Sequence, residues 1–209
     1  MEKQEIRTFG RRHGKKLSMR KSWLMENVLP TLYPNESERP DILEIGFGAG
    51  EHVCELARTN PNKIIIGAEP FENGVAALMS AICNQDNNIK TEYKNIRIFP
   101  DDVRLILNDR KFQFSEIWVL HPDPWPKVRH EKRRLLSAEF LNLLATTMAP
   151  TGKIIIGTDH WEYYDWILNQ VKNTNLTASI SKQETIKTRY QKKNMAHTSE
   201  TKYMILTKK

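Results

Sequence analysis

Between residues 42 and 157, short apolar runs alternate with stretches whose apolar side chains recur at helical spacing, and this alternation narrows the fold more than any other feature. A strand followed by a helix and a further strand requires a crossover, and repeated crossovers build a parallel sheet with helices on both faces. The pattern predicts strands over 42–45, 63–68, 96–99, 116–120 and 153–157, with helices over 51–58, 73–84, 103–107, 138–148 and 161–172. Two later β-like runs, 177–181 and 202–207, flank a polar stretch and are expected to pair antiparallel at an edge. The expected architecture is an α/β, doubly wound, mostly parallel sheet ending in an antiparallel strand pair. With 209 residues, one domain over 1–209 is the simplest division, and such a chain buries roughly 70% of its unfolded surface without staples.

Ahead of the sheet, residues 1–20 mix charge and glycine with few apolar side chains, the composition of a basic arm that stays mobile until something binds it. Trp23, Leu24, Val28 and Leu29 then recur at helical spacing, and Pro30 and Pro34 end that helix. Lys and Arg total 32 against 25 Asp and Glu, a formal charge of +7. The cations cluster in 7–21, 127–134 and 182–193, so three segments can meet as one face for a polyanion such as nucleic acid. Cys54 and Cys83 lack metal-ligand spacing, which argues against a zinc site or a disulfide framework and fits a reducing cytoplasm. No signal-peptide run opens the chain and no apolar stretch reaches membrane-spanning length, so no membrane association is expected.

In an open parallel sheet, ligands bind beyond the carboxyl ends of the strands. The first predicted strand runs into Glu44-Ile45-Gly46-Phe47-Gly48-Ala49-Gly50. A nicotinamide-binding loop needs G-x-G-x-x-G, and the position of its third glycine is Glu51; Gly46, Gly48 and Gly50 form G-x-G-x-G instead. The second strand ends at Glu69, about 20 residues on, where a carboxylate either clamps a ribose or caps the next helix. The third ends at Asp101-Asp102, of which Asp101 suits an adenine amino group and Asp102 a helix cap.

The fourth strand delivers H-P-D-P-W-P-K-V-R-H-E-K-R-R, residues 121–134. Three prolines exclude helix over its first half and leave a stiff loop presenting Asp123, Trp125 and Lys127. Arg129, Lys132, Arg133 and Arg134 are expected to begin a helix and meet phosphates with side chains and first-turn amides. Trp125 reads equally as a base-stacking plate and as a core anchor.

These segments, with Phe9-Gly10-Arg11-Arg12-His13-Gly14-Lys15 and Thr158-Asp159, closely resemble the bacterial tRNA (guanine-N7)-methyltransferases over nearly the whole chain. The resemblance implies a seven-stranded class I, Rossmann-like methyltransferase that uses S-adenosylmethionine, releases S-adenosylhomocysteine and modifies a guanine in the tRNA variable loop without a metal. By motif, it makes Glu44, Gly46, Gly48, Gly50, Glu69 and Asp101 cofactor residues and places Asp123, the catalytic residue, and Lys127 at the reaction centre. It implies substrate contacts at Asp123, Lys127, Asp159 and Thr188, to which the cationic run adds Arg129, Arg133 and Arg134, in a protein expected to be a cytoplasmic monomer or homodimer. Alternatives are methylation of a base amino group, suggested by the Asp-Pro loop, and a tRNA-binding homologue without catalysis. Two positions depart from the family: His121 where Phe is usual, and Gln191 where the late loop usually has Glu.

Overall fold

The computed structural model describes residues 9–109, 112–181 and 201–209. Its sheet strands are β1 (Ile42–Ile45), β2 (Ile65–Ala68), β3 (Ile96–Phe99), β4 (Phe114–Leu120), β5 (Met148–Thr158), β6 (Leu176–Ser181) and β7 (Lys202–Lys208). They form one seven-stranded sheet in the order β3-β2-β1-β4-β5-β7-β6. β1 through β5 pair in parallel, and β7 lies antiparallel to both β5 and β6. The expected doubly wound sheet with an antiparallel ending is thus present.

The helices are α1 (Met19–Asn27), α2 (Glu51–Thr59), α3 (Glu72–Ile82), α4 (Val103–Asp109), α5 (Ala138–Thr147) and α6 (Trp161–Val171). Leu24 of α1, Val53 of α2 and Leu78 of α3 share one buried cluster, whereas Val103 of α4, Leu141 of α5 and Tyr163 of α6 share the other. The sheet lies between these layers, which is why β1 and β2 are buried at every position. Alternation sends Leu43 and Ile45 into the α4–α6 core and Ile42 into the α1–α3 core.

Three stretches differ from the sequence reading. The predicted N-terminal helix stops at Asn27 and continues as a 3-10 turn, Leu29–Leu32, because Pro30 cannot donate into an α-helical ladder. β5 begins at Met148, directly after α5, and passes through Pro150 and Gly152 beside a register shift opposite Phe114 and Glu116. The cationic run does not begin a helix: Val128–Arg133 is a 3-10 turn, Arg134 is extended, and α5 starts only at Ala138 behind its Ser137 cap. No helix among the described residues is long and apolar enough to cross a membrane.

Candidate active site at the carboxyl ends of β1 and β4

Strand order reverses between β1 and β4, which opens a crevice at their carboxyl ends. A cavity of about 1170 Å³ occupies it, with Gly46, Glu69, Asp101 and Asp123 among its walls and Lys132 and Arg133 at its cationic side.

The glycine loop after β1 sets one wall. Gly46 and Gly48 have φ of 73° and 59°, and a Cβ at either would meet nothing within 4 Å, so the backbone turns left-handed and leaves open space above itself. Glu69 ties this loop to the next: Oε2 accepts from the Gly48 amide at 2.8 Å and Oε1 from the Phe71 amide at 2.9 Å. Burial raises the Glu69 pKa; the two amide bonds oppose the rise, and neighbouring Asp123 adds to it. Glu69 is therefore both a loop tie and a cleft-lining carboxylate, since each oxygen keeps a second lone pair. Gly74 in α3 permits the closeness of these parts, because a Cβ there would collide with the Gly48 carbonyl.

Glu44 lies elsewhere. It faces the α2 side of the sheet, is 3% exposed, and its Oε2 lies 3.0 Å from Nδ1 of His52, whose ring meets Trp118 edge-on. It ties β1 to α2 and is not among the residues lining the cavity. At the third strand, Asp102 accepts from the Arg104 amide and pairs with its guanidinium, the expected cap on α4. Asp101 lines the cavity; its Oδ1 accepts from the Asp102 amide and pairs with Arg12 of the N-terminal arm. That arm crosses the mouth: the Arg12 carbonyl accepts from the Glu72 amide, and the Lys15 carbonyl from the Asn73 side chain.

The opposite wall is the stiff loop after β4. His121 and Trp125 have φ of 50° and 42°, a left-handed backbone that non-glycine residues rarely adopt. Asp123 keeps an edge open to water at the cavity mouth, yet desolvation by the surrounding walls raises its pKa. Trp125 is half-buried, with the Arg133 guanidinium 5.0 Å from its ring centroid and His130 edge-on at 5.7 Å; it is a cavity wall and belongs to neither core cluster. Arg133 also lies 5.5 Å from the Phe9 ring, joining the arm to the loop.

Lys127, Arg129 and Lys132 project into solvent, as phosphate contacts must. Arg134, expected with them, does not: its side chain is 6% exposed and its donors reach the Pro124 carbonyl, the Trp125 carbonyl and Glu131. Asp159 is similarly turned inward, 7% exposed, with Oδ1 3.7 Å from His121 Nδ1, and it does not line the cavity. Thr188 and Gln191 lie outside the described residues. Sequence reasoning missed His52, Gly74 and the inward role of Arg134. Of these, only Gly74 carried a local signal, a lone glycine inside a helical pattern, which commonly marks a close approach.

Comparison with known proteins places the chain in a family. A family model described as "Putative methyltransferase" matches residues 38–209. A tRNA (guanine-N(7)-)-methyltransferase of Neorickettsia sennetsu is 34% identical over 189 residues, covering 86% of this chain and 84% of that protein. Another of that name from Paramagnetospirillum magneticum is 38% identical over 177 residues, covering 77% and 72%. Among solved structures, a precorrin-6y C5,15-methyltransferase from Geobacter metallireducens superposes with a TM-score of 0.55 at 14% identity over 82% of this chain and 81% of that one, a likeness of fold alone. The chain belongs to the methyltransferase family that includes these tRNA (guanine-N(7)-)-methyltransferases.

Proposed function

We propose that the protein methylates N7 of a guanine in tRNA, in the variable loop, with S-adenosylmethionine as donor. The observation that carries this reading is the meeting of Glu69, Asp101 and Asp123 in one cleft at the strand-order reversal, with exposed Lys127, Arg129 and Lys132 on the turn that follows Asp123. The open glycine loop, Glu69 and Asp101 would hold the donor: Glu69 would accept from the ribose hydroxyls and Asp101 from the adenine amino group. Glu44 contributes by tying β1 to α2 through His52. When bound, the donor supplies a methyl group on a positively charged sulfur.

Guanine N7 already carries an in-plane lone pair, so the protein need not remove a proton first. Its task is alignment and exclusion of water, which supply a large part of the rate by proximity. Asp123 accepts from the N1–H and amino group of guanine, a donor pair that adenine lacks. The carboxylate also stabilises the cationic ring of the product. Phosphates meet the exposed cations, and Trp125 offers a ring face to a base.

The test is methylation of tRNA lacking this mark with radiolabelled donor, followed by base-resolved mapping. The expected product is 7-methylguanine at one variable-loop position. Recovery of an amino-methylated base would refute the N7 reading, and label outside the variable loop would refute the position.

A further inference from the structure

We infer that Arg134 is a positioning residue: a buried guanidinium that holds the loop after β4 in the shape that presents Asp123 to the cleft. The inference rests on the methyltransferase reading above.

Arg133 and His130 pack on the Trp125 ring, but the backbone of the loop bonds little to other backbone. Pro122, Pro124 and Pro126 have no amide hydrogen to donate. Backbone bonding runs as far as the His121 amide, which donates to the Gly157 carbonyl at 2.7 Å, and resumes at the Lys127 carbonyl, which accepts from His130. Between them, no backbone group of residues 122–126 bonds to another described backbone group. The same stretch contains a left-handed Trp125. Such a backbone persists only where its surroundings over-determine it.

Arg134 supplies that constraint. Nε donates to the Pro124 carbonyl at 2.9 Å and Nη2 to the Trp125 carbonyl at 3.4 Å, the two carbonyls just beyond Asp123. Nη1 donates to Glu131 at 2.8 Å, and the Arg134 amide closes the cationic turn on the Glu131 carbonyl at 3.0 Å. The guanidinium carbon lies 5.5 Å from the Tyr163 ring centroid and 5.0 Å from that of Trp166, so α6 fixes its plane. One planar fork therefore ties the Asp123 loop, the cationic turn and α6 together. Lysine, a single point donor, cannot reproduce such a fork.

The experiment compares full-length wild type with Arg134→Met, which keeps the reach and packing but no donors, and Arg134→Lys, which keeps the charge. Turnover at saturating donor and tRNA is measured per folded molecule, with tRNA affinity at two salt concentrations. Arg134→Met is expected to lower kcat about 100-fold, the scale of an ångström-level misplacement, with tRNA affinity within about twofold of wild type and an unchanged salt slope. Arg134→Lys is expected to recover part of the loss, and it carries the test if the Met variant does not fold. Unchanged kcat per folded molecule would reduce Arg134 to packing; a shallower salt slope with kcat intact would make it a phosphate contact. Either overturns the inference. A readout independent of turnover is the fluorine spectrum of protein labelled with 5-fluorotryptophan. The Trp125 line, assigned with Trp125→Phe, should shift or split in Arg134→Met while the Trp23 and Trp118 lines stay. An unmoved Trp125 line overturns the positioning role, whereas absence of wild-type turnover with a moved line overturns the enzyme reading alone.

Discussion

At the residue scale, burial raises the pKa values of Glu69 and Asp123 in the cleft, and repulsion from Asp123 adds to the rise at Glu69. The Asp123 pKa is raised by desolvation alone, from an ordinary value of 3.8. Activity that needs its carboxylate should therefore fall on acidification at a pH above the usual aspartate range, and Asp123→Asn should remove that limb. The same substitution should lower kcat by about 10²–10³, as loss of one transition-state charge partner does, with a smaller change in tRNA affinity. Steady-state rates across pH and equilibrium tRNA binding check both. His121 gives a stability prediction of definite sign. Burial lowers its pKa below the ordinary 6.5, outweighing the nearby Asp159 carboxylate, which pulls the other way. Below 6.5 the unfolded chain takes up a proton that the folded chain resists, so the unfolded state binds more protons and stability drops as pH falls from 6.5 toward the lowered value. His121→Phe, the ring usual in the family, should flatten that part of the curve in denaturant titrations between about pH 5 and 7. An acid limb identical to wild type would refute it.

At the scale of elements, the cationic turn and α3 make separable contributions. Lys127, Arg129 and Lys132 are exposed, unlike Arg133 and Arg134, so changing all three to Gln should reduce the salt slope of tRNA binding by roughly 0.7–0.9 per lost phosphate contact. An unaltered slope would place the polyanion elsewhere. Gly74→Ala forces a methyl group against the Gly48 carbonyl, which should cost about 1–3 kcal/mol and weaken donor binding, read by thermal melts and calorimetry. These two elements also show what was legible in the chain. Apolar periodicity located β1 to β4 and their terminal acids, because buried parallel strands read as short continuous runs. It did not separate Arg134 from Arg129, since a cation in a basic run has the same signature whether it faces water or two aromatic rings. Nor did it show Glu44 turning toward His52, because the face taken by a strand residue depends on which helix layer covers it. The length of β5 escaped for another reason: Met148 pairs with Phe114 and Lys153 with Glu116, and the register shift between them separates the first pair from the periodic run over 153–157.

At the scale of the whole molecule, the cleft is bordered by Gly46 and the loop leading into α3 on one side and by α4, α5 and α6 on the other, so a ligand in it stabilises the fold by linkage. Glu69 is the part of the wall through which that linkage is easiest to test, because its two oxygens bond the loops after β1 and β2 at once. S-adenosylhomocysteine at about 100 times its Kd should add roughly 2.7 kcal/mol to unfolding, a rise in Tm of about 5–10 °C for a chain of this size. Glu69→Gln keeps the shape but exchanges one acceptor oxygen for an NH2 group, setting a donor against a backbone amide and removing an acceptor from the ribose. The variant should melt below wild type without ligand, from the lost loop tie, and should show little of the ligand-induced rise at the same concentration. Scanning calorimetry with and without ligand separates the two effects. A lowered baseline with the full ligand shift would make Glu69 a loop tie only, and the donor would then be held by Asp101 and the glycine loop without it.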